Sequence, residues 1–69
     1  MNNEQLKVWA KNGVLHVSGL TAGEPWAVFN LSGQPLYTGV SNGEKAEILL
    51  PGRGIYIFKS GNFAVKVAQ

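Results

Sequence analysis

Turn signals recur along this chain roughly every ten residues, and that spacing restricts the fold more than any other feature. Nine glycines stand at positions 13, 19, 23, 33, 39, 43, 52, 54 and 61. Several belong to pairs that tolerate positive φ: Asn12-Gly13, Ser32-Gly33, Asn42-Gly43 and Ser60-Gly61-Asn62. Gly has no Cβ to clash there, and Asn is the next most tolerant residue. No segment between these breaks sustains a helical period. The chain therefore reads as short strands joined by tight turns.

The spacing predicts seven strands, at about 5–10, 14–18, 26–31, 35–40, 45–50, 54–59 and 63–68. Lys11-Asn12-Gly13 joins the first two as a hairpin, and Ser32-Gly33-Gln34 joins the third to the fourth. Leu20–Pro25 reads as a loop. Pro51-Gly52-Arg53-Gly54 reads as a stiff turn, and Lys59-Ser60-Gly61-Asn62 as the last turn signal. Alternation gives most strands an inner face. Leu6 and Val8 oppose Lys7 and Trp9; Leu15 and Val17 oppose Val14 and His16; Ile48 and Leu50 oppose Glu47 and Leu49; Phe63, Val65 and Val67 oppose Ala64, Lys66 and Ala68. Strands three and six are apolar on both faces, which suits central positions or a face covered by a loop or partner. Pro35 lacks an N–H and fits the first residue of a strand or an edge. Gly39, inside a strand, signals a bulge or a close backbone approach. Short connections imply largely antiparallel pairing. The fold class is all-β, a sandwich or a small barrel of five to six strands.

Sixty-nine residues make one domain. So short a chain buries a smaller fraction of its surface than a larger one. Without cysteine it has neither disulfides nor thiolate metal sites. Stability must come from sheet pairing and a compact core, which a 45% hydrophobic content permits. The net charge is +2, but Lys7, Lys11, Lys45, Arg53, Lys59 and Lys66 are spread along the chain. A nucleic-acid footprint needs them clustered, so nucleic acid is not an expected partner. The polar start Met1-Asn2-Asn3-Glu4-Gln5 has no apolar export signal. No apolar run approaches the ~20 residues of a membrane span. Either the protein is cytoplasmic or the chain is a domain cut from a longer secreted protein.

The chemistry of catalysis has little material here. Four glutamates and one histidine are the whole acid–base inventory around neutrality. His16 reads as a surface or half-buried strand residue. Ser18, on the same face, lies about 7 Å along the strand, beyond a direct hydrogen bond. Glu44 and Glu47 fall on opposite faces and do not form a carboxylate pair. One histidine and scattered glutamates are too few for a metal site. Glycine-rich "PGRGIY" lacks the Gly-Lys-Ser/Thr and the helix of a phosphate loop. The sequence thus points to a non-enzyme without a cofactor. Among the aromatics, Trp9 shares its face with Gln5 and Lys7. It either stacks on a sugar ring or a partner, with Tyr37 as a possible coplanar companion, or it packs along an edge. Trp26 reads as a core lid at a strand entrance. Tyr56 follows a corner, where its ring fills the core and its hydroxyl bonds to nearby backbone.

Taken in order, these motifs resemble a known family. "VFNLSGQPLYTG", residues 28–39, is similar to a segment found in C-terminal sorting domains of the bacterial type IX (Por) secretion system of Bacteroidetes. "LLPGRGIYIFKSGNFAVKVAQ", residues 49–69, resembles the closing segment of that family: Leu50-Pro51, then Gly54-Ile55-Tyr56-Ile57-Phe58, a short turn, and Val65-Lys66-Val67. "LKVWAKNGVLHVSG", residues 6–19, resembles its opening hairpin. The sequence departs at Asn30, often Asp in the family, and at Gln34, often Arg. The resemblance implies an antiparallel, seven-strand, Ig-like β-sandwich at the C-terminus of a longer secreted protein. It implies a non-catalytic sorting and surface-anchoring role, partnered by the outer-membrane secretion machinery and by N-terminal cargo domains. The location would be secreted or cell-surface, on the outer membrane of a Gram-negative bacterium, and the domain a monomer. Carried over residue by residue, recognition falls on Gly54, Tyr56, Lys66 and Val67 of the last hairpin. Lys66 either contributes specificity there or only solubilises its face. The rival expectation is an Ig-like accessory module that binds carbohydrate or a protein partner.

Overall fold

The computed structural model describes residues 6–69. It contains seven strands: β1 (Lys7–Lys11), β2 (Val14–Ser18), β3 (Pro25–Asn30), β4 (Pro35–Val40), β5 (Lys45–Leu49), β6 (Ile55–Ser60) and β7 (Phe63–Ala68). The expected strand set is present with small shifts at its ends. Gln5, expected in β1, lies outside the described residues. Pro25 enters β3 rather than ending a loop, and Leu31 leaves it for the turn. Lys59 and Ser60 complete β6, so the last turn contracts to Gly61-Asn62.

The turns follow from backbone sterics. Asn12 and Gly13 both have positive φ, 52° and 79°, which makes the β1–β2 connection a type I′ turn. At the β6–β7 connection Gly61 alone is positive, at 61°, the pattern of type II′. Between β3 and β4 the Gly33 N–H donates to the Asn30 carbonyl, and Gly33 adopts φ 88°. That is a type I turn closed by a left-handed glycine.

All pairing is antiparallel, in two sheets: β1-β2-β5, and β4-β3-β6-β7. Two separate sheets exclude the barrel, and the chain is a three-plus-four Ig-like sandwich. β3 and β6 hold the two inner positions of the larger sheet, as their doubly apolar faces demand. The core is built from both inner faces. Leu15, Val17 and Ile48 come from the smaller sheet; Val28, Tyr56, Phe58 and Val67 from the larger; Leu20 and Leu50 from the connections. The register of β3 on β4 slips from Val28↔Tyr37 to Phe29↔Pro35. Leu36 is the extra residue of this bulge, and it packs against the core. Gly39 is not at the bulge. It is a close approach, since a Cβ there would stand 2.7 Å from Cζ2 of Trp26, its cross-strand partner. Trp26 in turn stacks on Phe58, ring centroids 6.1 Å apart, and lids the core at the entrance to β3.

The crossovers between sheets are latched at Ser41, which is buried. Its N–H donates to the Glu24 carbonyl at 3.0 Å, and its own carbonyl accepts from Gly23 at 2.8 Å. Its hydroxyl donates to the Thr21 carbonyl, with the Glu24 carbonyl 3.2 Å away. Nearby, the Leu20 N–H donates to the Glu44 carbonyl at 3.0 Å. The β2–β3 and β4–β5 connections are therefore one hydrogen-bonded unit.

Candidate functional site

Two surfaces carry the residues singled out from the sequence. The first is the β6–β7 hairpin. Tyr56 and Val67 are cross-strand partners, and both point into the core. The Tyr56 hydroxyl donates to the Gly52 carbonyl at 2.7 Å, so the ring fills the sandwich while its polar tip holds the β5–β6 corner. Gly54 has φ 147°, and its carbonyl accepts from the Gln69 N–H at 2.9 Å, which fastens the end of β7 to that corner. Only Lys66 among these four presents its side chain to solvent, across from Ile57 on the outer face. Tyr56 and Val67 shape the hairpin from within, and the exposed Gly54 fastens its end at the corner. The outer face of β7 is made of Lys66 and its exposed neighbours Ala64 and Ala68.

β7 is an edge strand of the four-stranded sheet. Its other side lies beside β1, the edge of the smaller sheet, but no backbone hydrogen bond joins them among the described residues. The edges are not equally guarded. β4 begins with Pro35 and carries the bulge, two features that discourage further pairing. β7 has Lys66 on its outer face and β1 lying beside it.

The outer face of the three-stranded sheet is the second surface. Trp9, His16 and Glu47 are cross-strand partners in a single row over β1, β2 and β5. Trp9 stacks on His16 with centroids 5.3 Å apart and planes 15° apart. His16 Nδ1 lies 3.5 Å from Glu47 Oε2. Tyr37 does not join Trp9: it sits on β4, in the other sheet, opposite the buried Val28. The coplanar partner of Trp9 is His16. Sequence periodicity placed His16 correctly on an outward, half-buried position, but the stack depends on β1–β2 register, which periodicity does not give.

A shallow groove on the outer face of the larger sheet is lined by Pro25, Ala27, Phe29, Val40 and Lys59 among others. Lys59 Nζ stands 5.9 Å over the Phe29 ring and covers part of its apolar surface. Among the described residues no three His, Asp or Glu side chains converge as metal ligands would. Nor, among the described residues, is any helix long and apolar enough to cross a membrane.

Comparison of the chain with models of known protein families, with curated proteins and with solved structures finds no match.

Proposed function

We propose that the chain is a non-catalytic sorting and cell-surface anchoring module of the type IX secretion kind, read by the outer-membrane machinery through β7. In this reading it is the monomeric C-terminal part of a longer secreted protein and sends its N-terminal cargo to the surface of a Gram-negative bacterium. The observation that carries the proposal is the state of β7. It is an edge strand whose outward side chains, Ala64, Lys66 and Ala68, are exposed and mostly small. A partner strand that enters between β7 and β1 gains main-chain hydrogen bonds from β7, and Lys66 supplies a side-chain contact.

The two departures from the family pattern, Asn30 and Gln34, fall in one turn. Asn30 Oδ1 accepts from the Gln34 N–H at 2.9 Å, and Asn30 Nδ2 donates to Gln34 Oε1 at 3.2 Å. The two departures from the family pattern therefore touch each other.

The test is export of a secreted reporter fused ahead of residues 1–69 in a type IX-competent bacterium. Deleting residues 62–69 removes core as well as signal, so a second variant is needed. Ala64→Glu/Lys66→Glu/Ala68→Glu alters only the exposed face of β7. Both variants are expected to abolish surface display, with the triple variant still folded by circular dichroism. Display that survives both would end the proposal.

A further inference from the structure

The outer face of the three-stranded sheet carries chemistry that sorting through β7 does not use. Lys7, Ser18 and Lys45 form one cross-strand row, directly beside the row of Trp9, His16 and Glu47. Adjacent strands are about 4.8 Å apart, and alternate residues on one strand about 7 Å. Six side chains therefore stand over a patch of roughly 10 by 7 Å. They border a depression of about 360 Å³.

Each group has a vacant interaction. Trp9 is 47% exposed, with His16 stacked against one face of the indole. Lys7 and Lys45 flank the Ser18 hydroxyl, and among the described residues neither is ion-paired with a carboxylate. The Glu47 side chain is 73% exposed, and only its Oε2 contacts His16. The other oxygen is free to accept hydrogen bonds.

We infer that this face binds a hydroxylated sugar ring bearing a single carboxylate, a uronic-acid type of saccharide. The ring lies in the depression between the two rows, against the part of Trp9 that lines it. Its carboxylate sits between the Lys7 and Lys45 ammonium groups and accepts from the Ser18 hydroxyl. Its ring hydroxyls donate to Glu47. The span from the tryptophan row to the lysine row suits one pyranose and its carboxylate. A neutral sugar leaves both lysines unmatched. A phosphorylated ligand brings more negative charge next to Glu47, which repels it. The site is on the opposite sheet from β7 and does not depend on the sorting role.

Amide chemical-shift titration of the 69-residue chain tests the inference. Methyl β-glucuronide is the probe, with methyl β-glucoside, inorganic phosphate and adenosine monophosphate as comparisons. Shifts are expected to cluster at residues 7–9, 16–18 and 45–47. Binding should weaken about tenfold with the glucoside, and about tenfold in Lys7→Ala/Lys45→Ala, the loss of two solvent-exposed charge contacts. Trp9→Ala should weaken binding of both sugars together. Lys7 and Lys45 are exposed, so the double variant keeps its dispersed spectrum. No clustered shifts, equal binding of glucoside and glucuronide, tighter binding of phosphate or the nucleotide, or an unaffected lysine variant would each overturn the assignment.

Discussion

Tyr56 shows how much one side chain carries in a domain of this size. Its ring is buried beside Phe58 and Val67, and its hydroxyl fastens the corner that starts β6. Tyr56→Phe keeps the ring and removes the bond to the Gly52 carbonyl. Gly52 is exposed, so water replaces the lost donor in part. The expected cost is about 1 kcal/mol, read as a fall in Tm of roughly 4–8 °C for a domain under a hundred residues. This residue was legible in advance, because the Pro51-Gly52-Arg53-Gly54 corner and the strand after it leave a tyrosine few other places. Ser41 was not. A serine beside Asn42-Gly43 reads as an ordinary polar loop residue, and nothing local shows that two crossovers converge on it. The Gly39–Trp26 contact was half legible: a glycine inside a strand announced a close approach, but not its partner.

Among the elements, the hairpins are the best specified. Their turn chemistry is local, and local chemistry is what a sequence displays. In β1–β2 the left-handed backbone at Gly13 is the critical feature. A methyl group there meets nothing closer than Gln69 Nε2, at 3.5 Å, so Gly13→Ala tests backbone conformation and not crowding. The variant is expected to lose about 1–2 kcal/mol, the cost of a left-handed conformation for an ordinary residue. Chemical denaturation measures the loss, and unchanged stability would show that the turn reshapes freely. All seven strands were visible from turn spacing and alternation, but their partners were not. β2 pairs with β5, and β3 with β6, across intervening chain. No periodicity encodes such a choice. The candidate surfaces share this limit. That β7 is an edge, that Trp9 meets His16 and not Tyr37, and that Lys7 and Lys45 share a row all depend on pairings between distant segments.

At the scale of the whole molecule, the two sheets are joined by three crossovers, and two of them meet at Ser41. Ser41→Ala removes the hydroxyl but keeps both backbone bonds of the latch. The Thr21 carbonyl then lacks its side-chain donor in a part-buried site. A loss of about 1–2 kcal/mol is expected, which lowers the urea midpoint by roughly 1 M at the m-value of a small domain. A midpoint unchanged by the substitution would show that the crossovers are held by their backbone bonds alone. The pairing of β3 with β6 has a consequence in time. Trp26 must find Ser60 before the larger sheet has a centre. Hairpins such as β1–β2 and β6–β7 close in about 1–10 μs, whereas sandwiches dominated by distant pairings complete in milliseconds to seconds. Until β3 meets β6 the pairings open to the chain are the local ones of β1–β2, β3–β4 and β6–β7, and an isolated hairpin is at best marginally stable.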